Sequence, residues 1–222
     1  MASLSKEEMG KVFEQTNAWF KTTPNYSLTV THASFENYTT EIPYEKSTGY
    51  FKKQGENYHS FLLNIHTIQN KEYKIVIDSV DKLMLVANPD HQQWQTYTQE
   101  DYSVLLKTCT ALRKSINGRY TFYKMELPDN SPIGAYEFLI DEQHRGREIR
   151  WYYNKEVKKD ESDPSSAVKP RMNISFSAYK EEENFDYTQT FSESAYFEKK
   201  GDKLIPTEKY SKYKLLDQRI KK

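Results

Sequence analysis

Arg171-Met172-Asn173-Ile174-Ser175-Phe176-Ser177-Ala178-Tyr179 decides how this chain is read. Met172, Ile174, Phe176 and Ala178 fall on one side, and Arg171, Asn173, Ser175 and Ser177 on the other. A strict period of two belongs to a strand with one face in a core and the other against polar surroundings. Antiparallel sheets carry that pattern, whereas parallel strands, buried on both faces, read as continuous apolar runs.

The same period recurs outward from this stretch. Tyr26, Leu28 and Val30 alternate with Ser27, Thr29 and Thr31. Tyr44 to Lys53 and Tyr58 to Leu63 flank Gln54-Gly55-Glu56-Asn57, a hairpin loop. Glu72 to Asp78 places Tyr73, Ile75 and Ile77 on one side, and the polar Ser79 to Lys82 leads on to Leu83 to Ala87. Arg119 to Leu127 and Ala135 to Asp141 flank the turn-rich Pro128 to Pro132. Arg147 to Tyr153 follows Gly146, and Asn154 to Lys169 is a charged loop. Thr188 to Lys199, Lys203 to Thr207 and Tyr210 to Gln218 read as the closing strands. The tally is about eleven strands joined by short polar turns, which link antiparallel neighbours.

Two helices interrupt them. Ser5 and Glu8 have capping-box spacing, and Leu4 with Met9 has that of a hydrophobic staple. Met9, Val12, Phe13, Thr16 and Phe20 then recur at helical spacing until Thr22-Thr23-Pro24, since a residue before proline avoids helical angles. A second helix is expected after Pro89. Thr98 and Asp101 repeat the capping spacing, Tyr102, Leu105, Leu106, Cys109, Leu112 and Ile116 form the stripe, and Asn117-Gly118 is the stop. The expected fold is α+β and mainly antiparallel β. It is expected to be a single strongly curved sheet with two amphipathic helices, and residues 1–222 are expected to form one domain.

Composition narrows the function classes. Apolar residues are 36% and mean hydropathy is −0.91, values that approach those of disordered chains. Eighteen Tyr and eleven Phe argue for a folded sheet instead, because disordered chains are poor in aromatics. Lys plus Arg and Asp plus Glu balance at 32 each, so no excess charge favours nucleic acid. No apolar run is long enough for a transmembrane segment, and the polar Met1 to Gly10 does not read as a signal peptide. Cys109, the one cysteine, excludes an internal disulfide and reads as a buried thiol on a helix stripe.

No standard catalytic pattern is present. Nucleophile-elbow, phosphate-loop, dinucleotide and zinc-protease motifs are all missing, so neither an enzyme nor a cofactor is expected. His32, His59, His66, His91 and His144 never recur at metal-ligand spacing and read as strand or turn residues. Asp160-Glu161-Ser162-Asp163 and Glu181-Glu182-Glu183 do not follow the calcium-loop pattern. His144-Arg145-Gly146-Arg147 reads as a charged hairpin tip.

The order of elements resembles the LolA/LolB-like superfamily of bacterial periplasmic lipoprotein carriers, in a divergent Bacteroidetes-type form. The carrying segments are the N-terminal helix leading into Tyr26 to Thr31, Ser47 to Ser60, the hairpin Thr67 to Val86, and the closing stretches Lys169 to Phe176 and Tyr210 to Asp217. The resemblance spans about residues 9–88 and 119–218 and rests on pattern rather than on a diagnostic motif. It implies a mainly antiparallel open half-barrel, with helices covering the concave face, whose apolar cavity holds acyl chains, with no catalytic step. It also implies a periplasmic location, reached by way of a signal peptide ahead of this sequence, with the cytoplasm as the other location. The carriers' latching arginine has no evident counterpart here, and no lipobox cysteine is present.

The residues expected to line such a cavity are Phe13, Phe20, Leu105 and Leu112 on the helices, with Leu28, Val30, Ile75, Ile77, Met172, Ile174 and Phe176 on the strands. The plain alternative is that they pack shut as core. Two functions follow. One is binding of a lipid or lipoprotein acyl chain. The other is an adaptor subunit of a cell-envelope or secretion assembly that binds an envelope protein along a sheet edge.

Overall fold

The Ser5 hydroxyl accepts the Glu8 N–H at 3.1 Å, and the Glu8 carboxylate accepts the Ser5 N–H at 2.8 Å. The reciprocal cap written in the sequence therefore starts the first helix. The computed structural model describes residues 1–89, 102–158 and 167–220. In chain order, β1 (Ala2–Ser3) and α1 (Lys6–Thr22) precede β2 (Asn25–Phe35) and β3 (Glu45–Gln54). Next come β4 (Asn57–Leu62), β5 (Ile65–Gln69), β6 (Lys74–Asp78) and β7 (Leu83–Ala87). α2 (Tyr102–Thr108) leads into β8 (Ala111–Asn117), β9 (Tyr120–Glu126), β10 (Ile133–Asp141) and β11 (Gly146–Tyr153). The short β12 (Val157–Lys158) and β13 (Ala167–Val168) pair with each other ahead of β14 (Arg171–Glu181). α3 (Tyr187–Thr190) and a 3-10 turn, Glu193–Ala195, then precede the hairpin β15 (Phe197–Lys200) and β16 (Lys203–Pro206). A second 3-10 turn, Glu208–Tyr210, and β17 (Lys214–Asp217) end the described fold.

The main sheet has thirteen strands in the order β1-β8-β9-β10-β11-β14-β2-β3-β4-β5-β6-β7-β17. It is mostly antiparallel, as the short turns require, but β17 runs parallel to β7. The chain forms two compact units. The first takes Met1–Thr22, Val30–Ser47 and Thr98–Ser177, and the second takes Thr23–Thr29, Thr48–Tyr97 and Ala178–Lys222. β2, β3 and β14 give residues to both. Each unit has its own apolar cluster, one around Met9, Phe13, Met125 and Phe138 and the other around Ile68, Ile75, Met84 and Phe197.

Four sequence expectations are corrected. α2 ends at Thr108, so Leu112 and Ile116 lie on strand β8, and Asn117-Gly118 opens the turn into β9, not a helix stop. Residues four apart share a face in both a helix and a strand, so that spacing alone could not separate the two. Pairing with β9 and the left-handed Gly118 (φ 58°) settle the strand. Of Thr188 to Lys199 only Phe197 to Lys199 are strand; α3 and a 3-10 turn come before them, because the Asp186 and Ser192 side chains cap main-chain N–H groups there. Ile65–Gln69 is an additional strand, reached through Leu63 and Asn64, both at positive φ. The closing strand Tyr210 to Gln218 shortens to Lys214–Asp217, since its first residues form the 3-10 turn. The expected cap at Thr98 and Asp101 lies outside the described residues.

Gly49 on β3 faces the β4 backbone so closely that a Cβ there would sit 1.7 Å from the Phe61 carbonyl oxygen. Gly49→Ala must prise β3 from β4, and urea unfolding should show a loss of about 3 kcal/mol or more.

Candidate functional site

The first unit carries two apolar rungs across five strands. In register, Leu112, Met125, Tyr136, Trp151 and Met172 form one. Lys114, Tyr123, Phe138, Ile149 and Ile174 form the next. Residues directly opposite on paired strands point to the same side, so all ten share one face. α1 lies on that face through Leu4, Met9 and Phe13. The Phe13 ring stacks on Tyr102 of α2 at 3.9 Å and meets Phe138 edge-on at 5.1 Å. Leu105 and Leu106, both half-buried, pack against the same cluster.

Cover is uneven along the rungs. On β8 to β10 Leu112, Met125, Tyr136 and Phe138 are buried and Lys114 and Tyr123 half-buried, whereas Ile149, Trp151, Met172 and Ile174 on β11 and β14 are all half-buried. Ile149 and Trp151 touch the edge of the helix-covered cluster, and Trp151 meets Tyr136 edge-on at 6.1 Å. Phe176, next on the same side of β14, is buried.

The opposite face of these strands is polar and tightly paired. Arg150 donates to Glu148 at 2.8 Å and Tyr152 donates to Glu137 at 2.7 Å. Asn173 donates to Glu148 at 2.6 Å. Arg171 donates to the Tyr38 and Thr40 carbonyls and lies 4.1 Å from the Phe35 ring centre. Burial and the hydrogen bond to Glu137 raise the Tyr152 phenol above its ordinary range. Its proton stays on, and the group acts as a donor.

The second unit closes its face instead. Ile75 and Ile77 are 0% and 1% exposed, packed with Tyr196, Phe197 and Tyr210 of the C-terminal segment. Asn70 fastens that segment by donating to the Phe191 carbonyl at 3.1 Å and to Glu193 at 2.8 Å. The predicted lining residues therefore divide. Phe13, Leu105 and Leu112 gather in the first cluster, with Met172 and Ile174 on the same sheet face, while Ile75 and Ile77 belong to the second. Phe20 and Val30 are buried in the first unit and Leu28 in the second. Sequence reasoning passed over Tyr123, Ile149 and Trp151. Their strands alternate, but with bulky residues on both faces, so the apolar side was not marked.

Other features take definite places. Cys109 is buried, as expected, with its thiol directed to the Leu106 carbonyl. A cleft of about 560 Å³ runs beside it, lined by Met1, Ser3, Lys6, Thr110 and Arg113 among others. His144 to Arg147 forms an ordered turn around the buried Asp141. That carboxylate accepts the Gln143 and Arg145 N–H groups at 2.9 and 3.0 Å, Arg145 Nε at 2.9 Å and Arg147 Nε at 2.8 Å. Burial alone would raise the Asp141 pKa, but these donors hold it below its ordinary value. Among the described residues no cluster of three or more His, Cys, Asp or Glu side chains is placed to hold a metal. No described helix is long and apolar enough to cross a membrane.

No protein family matches the chain, and no curated protein does. Solved structures do. The chain is similar in fold to a LolA superfamily protein. That protein, from Nitrosomonas europaea, is 8% identical, with 85% of this chain and 98% of that one covered at a TM-score of 0.34. The lipoprotein LppX of Mycobacterium tuberculosis is 11% identical over 79% of this chain and 97% of its own, at 0.40. An uncharacterized conserved protein from Thermus thermophilus is 10% identical, with 95% and 99% covered, at 0.48.

Asp141→Asn removes the carboxylate that Arg145 and Arg147 both bond in a largely buried turn. Chemical denaturation at neutral pH should show a loss of about 3 kcal/mol. Because the carboxylate's pKa is lowered, its contribution is present above the ordinary Asp range and lost as pH falls through the folded value. The variant should accordingly lose part of the parent's acid sensitivity.

Proposed function

We propose that the chain binds an acyl chain, of a lipid or of a lipoprotein, on the helix-side sheet face of its first unit, and that it does so in the periplasm without a catalytic step. The observation that carries this reading is the break in cover along the two rungs. On β8 to β10 Leu112, Met125, Tyr136 and Phe138 are buried and only Lys114 and Tyr123 are half-buried, while on β11 and β14 all four of Ile149, Trp151, Met172 and Ile174 are half-buried. Apolar area left partly in water gains by contact with a hydrocarbon chain, at about 0.8 kcal/mol for each methylene buried. An acyl chain suits a strip of this kind because it is narrow, flexible and needs no polar partner along its length. The periplasmic location rests on the resemblance of the sequence to the lipoprotein carriers.

The polar face supports the reading from behind. The Glu137, Glu148, Arg150, Tyr152 and Asn173 bonds hold β10, β11 and β14 together independently of what covers their apolar side. The strip can therefore stay in place with or without a ligand.

Native mass spectrometry of the protein after exposure to a bacterial lipid extract should show added acyl species. Ile174→Glu sets a charge in the middle of the strip and should lower occupancy about tenfold. Ser175→Glu, one residue along on the other face, should leave occupancy unchanged. Wild-type protein that stays free of acyl species under these conditions contradicts the proposal, as does equal loading of the Ile174 variant.

A further inference from the structure

The second unit packs two imidazoles against each other. His59 on β4 pairs with Ile68 and His66 on β5 pairs with Phe61, so the two rings are diagonal neighbours on one face. His59 Nε2 lies 3.4 Å from His66 Nδ1 and 3.0 Å from the Tyr50 hydroxyl. The His66 ring is 4.4 Å from that of Phe61. His59 is 8% exposed.

The groups facing the pair come from three sides. β3 supplies Tyr50 and Lys52, and β4 and β5 supply the imidazoles themselves. The C-terminal segment supplies the Thr190 main chain, which bonds to His59, and Lys209, which faces His66. Tyr196 and Tyr210 of the same segment lie near Tyr50. No carboxylate among the described residues bonds either ring. A proton on one imidazole would meet the second ring, Lys52 and Lys209 in a site short of water, with no counter-charge to receive it.

We propose that this pair is an acid-sensitive fastening for the C-terminal segment that covers the second unit: a protonated imidazole leaves the packed site, and residues 187–213 loosen from β3 to β5. The neutral pair is the form that fits: His59 donates one N–H to the Thr190 carbonyl, and its Nε2 lone pair accepts from the Tyr50 hydroxyl or from His66. Burial, then His66 and Lys52, push the His59 pKa down to about 4, and burial and Lys209 lower that of His66. Once the segment no longer covers it, a histidine titrates at its ordinary value of about 6.5. A lowered folded value means that the fastening is fully present above that ordinary value. It is lost as pH falls from there toward the folded value. The device lies in the second unit and does not depend on what the first unit binds.

Amide hydrogen exchange of the full chain tests it, with rates corrected for their intrinsic pH dependence. Between about pH 7 and about pH 5, protection of residues 187–213 should fall about tenfold while β6 and β7 keep theirs. A chain carrying His59→Gln and His66→Gln should hold equal protection at both values. An equal loss in that variant overturns the proposal. Should the variant fail to fold, proton NMR of the wild-type imidazoles decides. A His59 still neutral at about pH 5.5 supports the fastening, and a His59 that titrates at its ordinary value overturns it.

Discussion

A helix is about 10 Å across, and neighbouring strands lie about 4.8 Å apart, so a single helix spans roughly two strands. The first unit places two helices, α1 of seventeen residues and α2 of seven, over an apolar face that extends across five strands. Leu112, Met125, Tyr136 and Phe138 are buried in one cluster with the helices, whereas Met172 and Ile174 are half-buried and do not belong to it. That mismatch of widths governs the unit. Where the helices lie there is core, and beyond them there is a strip of apolar side chains half in water.

The two units answer the same problem differently. In the second, the polypeptide itself completes the cover. Tyr196, Phe197 and Tyr210 pack on Ile75, Ile77, Met84 and Val86 until these are sealed. The segment is positioned by Asn70, whose amide oxygen also accepts the Glu72 and Tyr73 N–H groups, and by Gln54, which accepts the Phe185 N–H. The imidazole pair is a polar intrusion beneath that cover. In the first unit polar bonding is moved to the far face, where Arg150 bridges Glu137 and Glu148. The half-buried apolar strip and the strand-anchoring bonds thereby lie on opposite faces of the same strands.

Much of this was legible in the sequence, for identifiable reasons. The period-two pattern of Arg171 to Tyr179 and the Ser5–Glu8 cap are local signals, and both elements formed where they indicated. Leu112 and Ile116 misled because their spacing satisfies helix and strand alike, and pairing with β9, which leaves Ile116 74% exposed, makes the strand. Thr188 to Lys199 misled because its caps, Asp186 and Ser192, are single residues without a helical apolar stripe behind them. The apolar strip was half legible. Met172 and Ile174 stand out beside Asn173 and Ser175, whereas Trp151 stands between Arg150 and Tyr152, both long and partly apolar. The meeting of His59 with His66 depends on strand register, which no spacing along the chain encodes.

The incomplete cover over β11 and β14 is tested most directly at Trp151, which stands at the border of the sealed and half-buried parts of the face. Tryptophan fluorescence can be followed during titration with a brominated fatty acid, whose bromines quench an indole only on close approach. The account predicts saturable quenching that is largely abolished by Trp151→Phe and survives Trp19→Phe. Quenching that is absent, non-saturable or indifferent to the loss of Trp151 would mean that the strip holds no acyl chain.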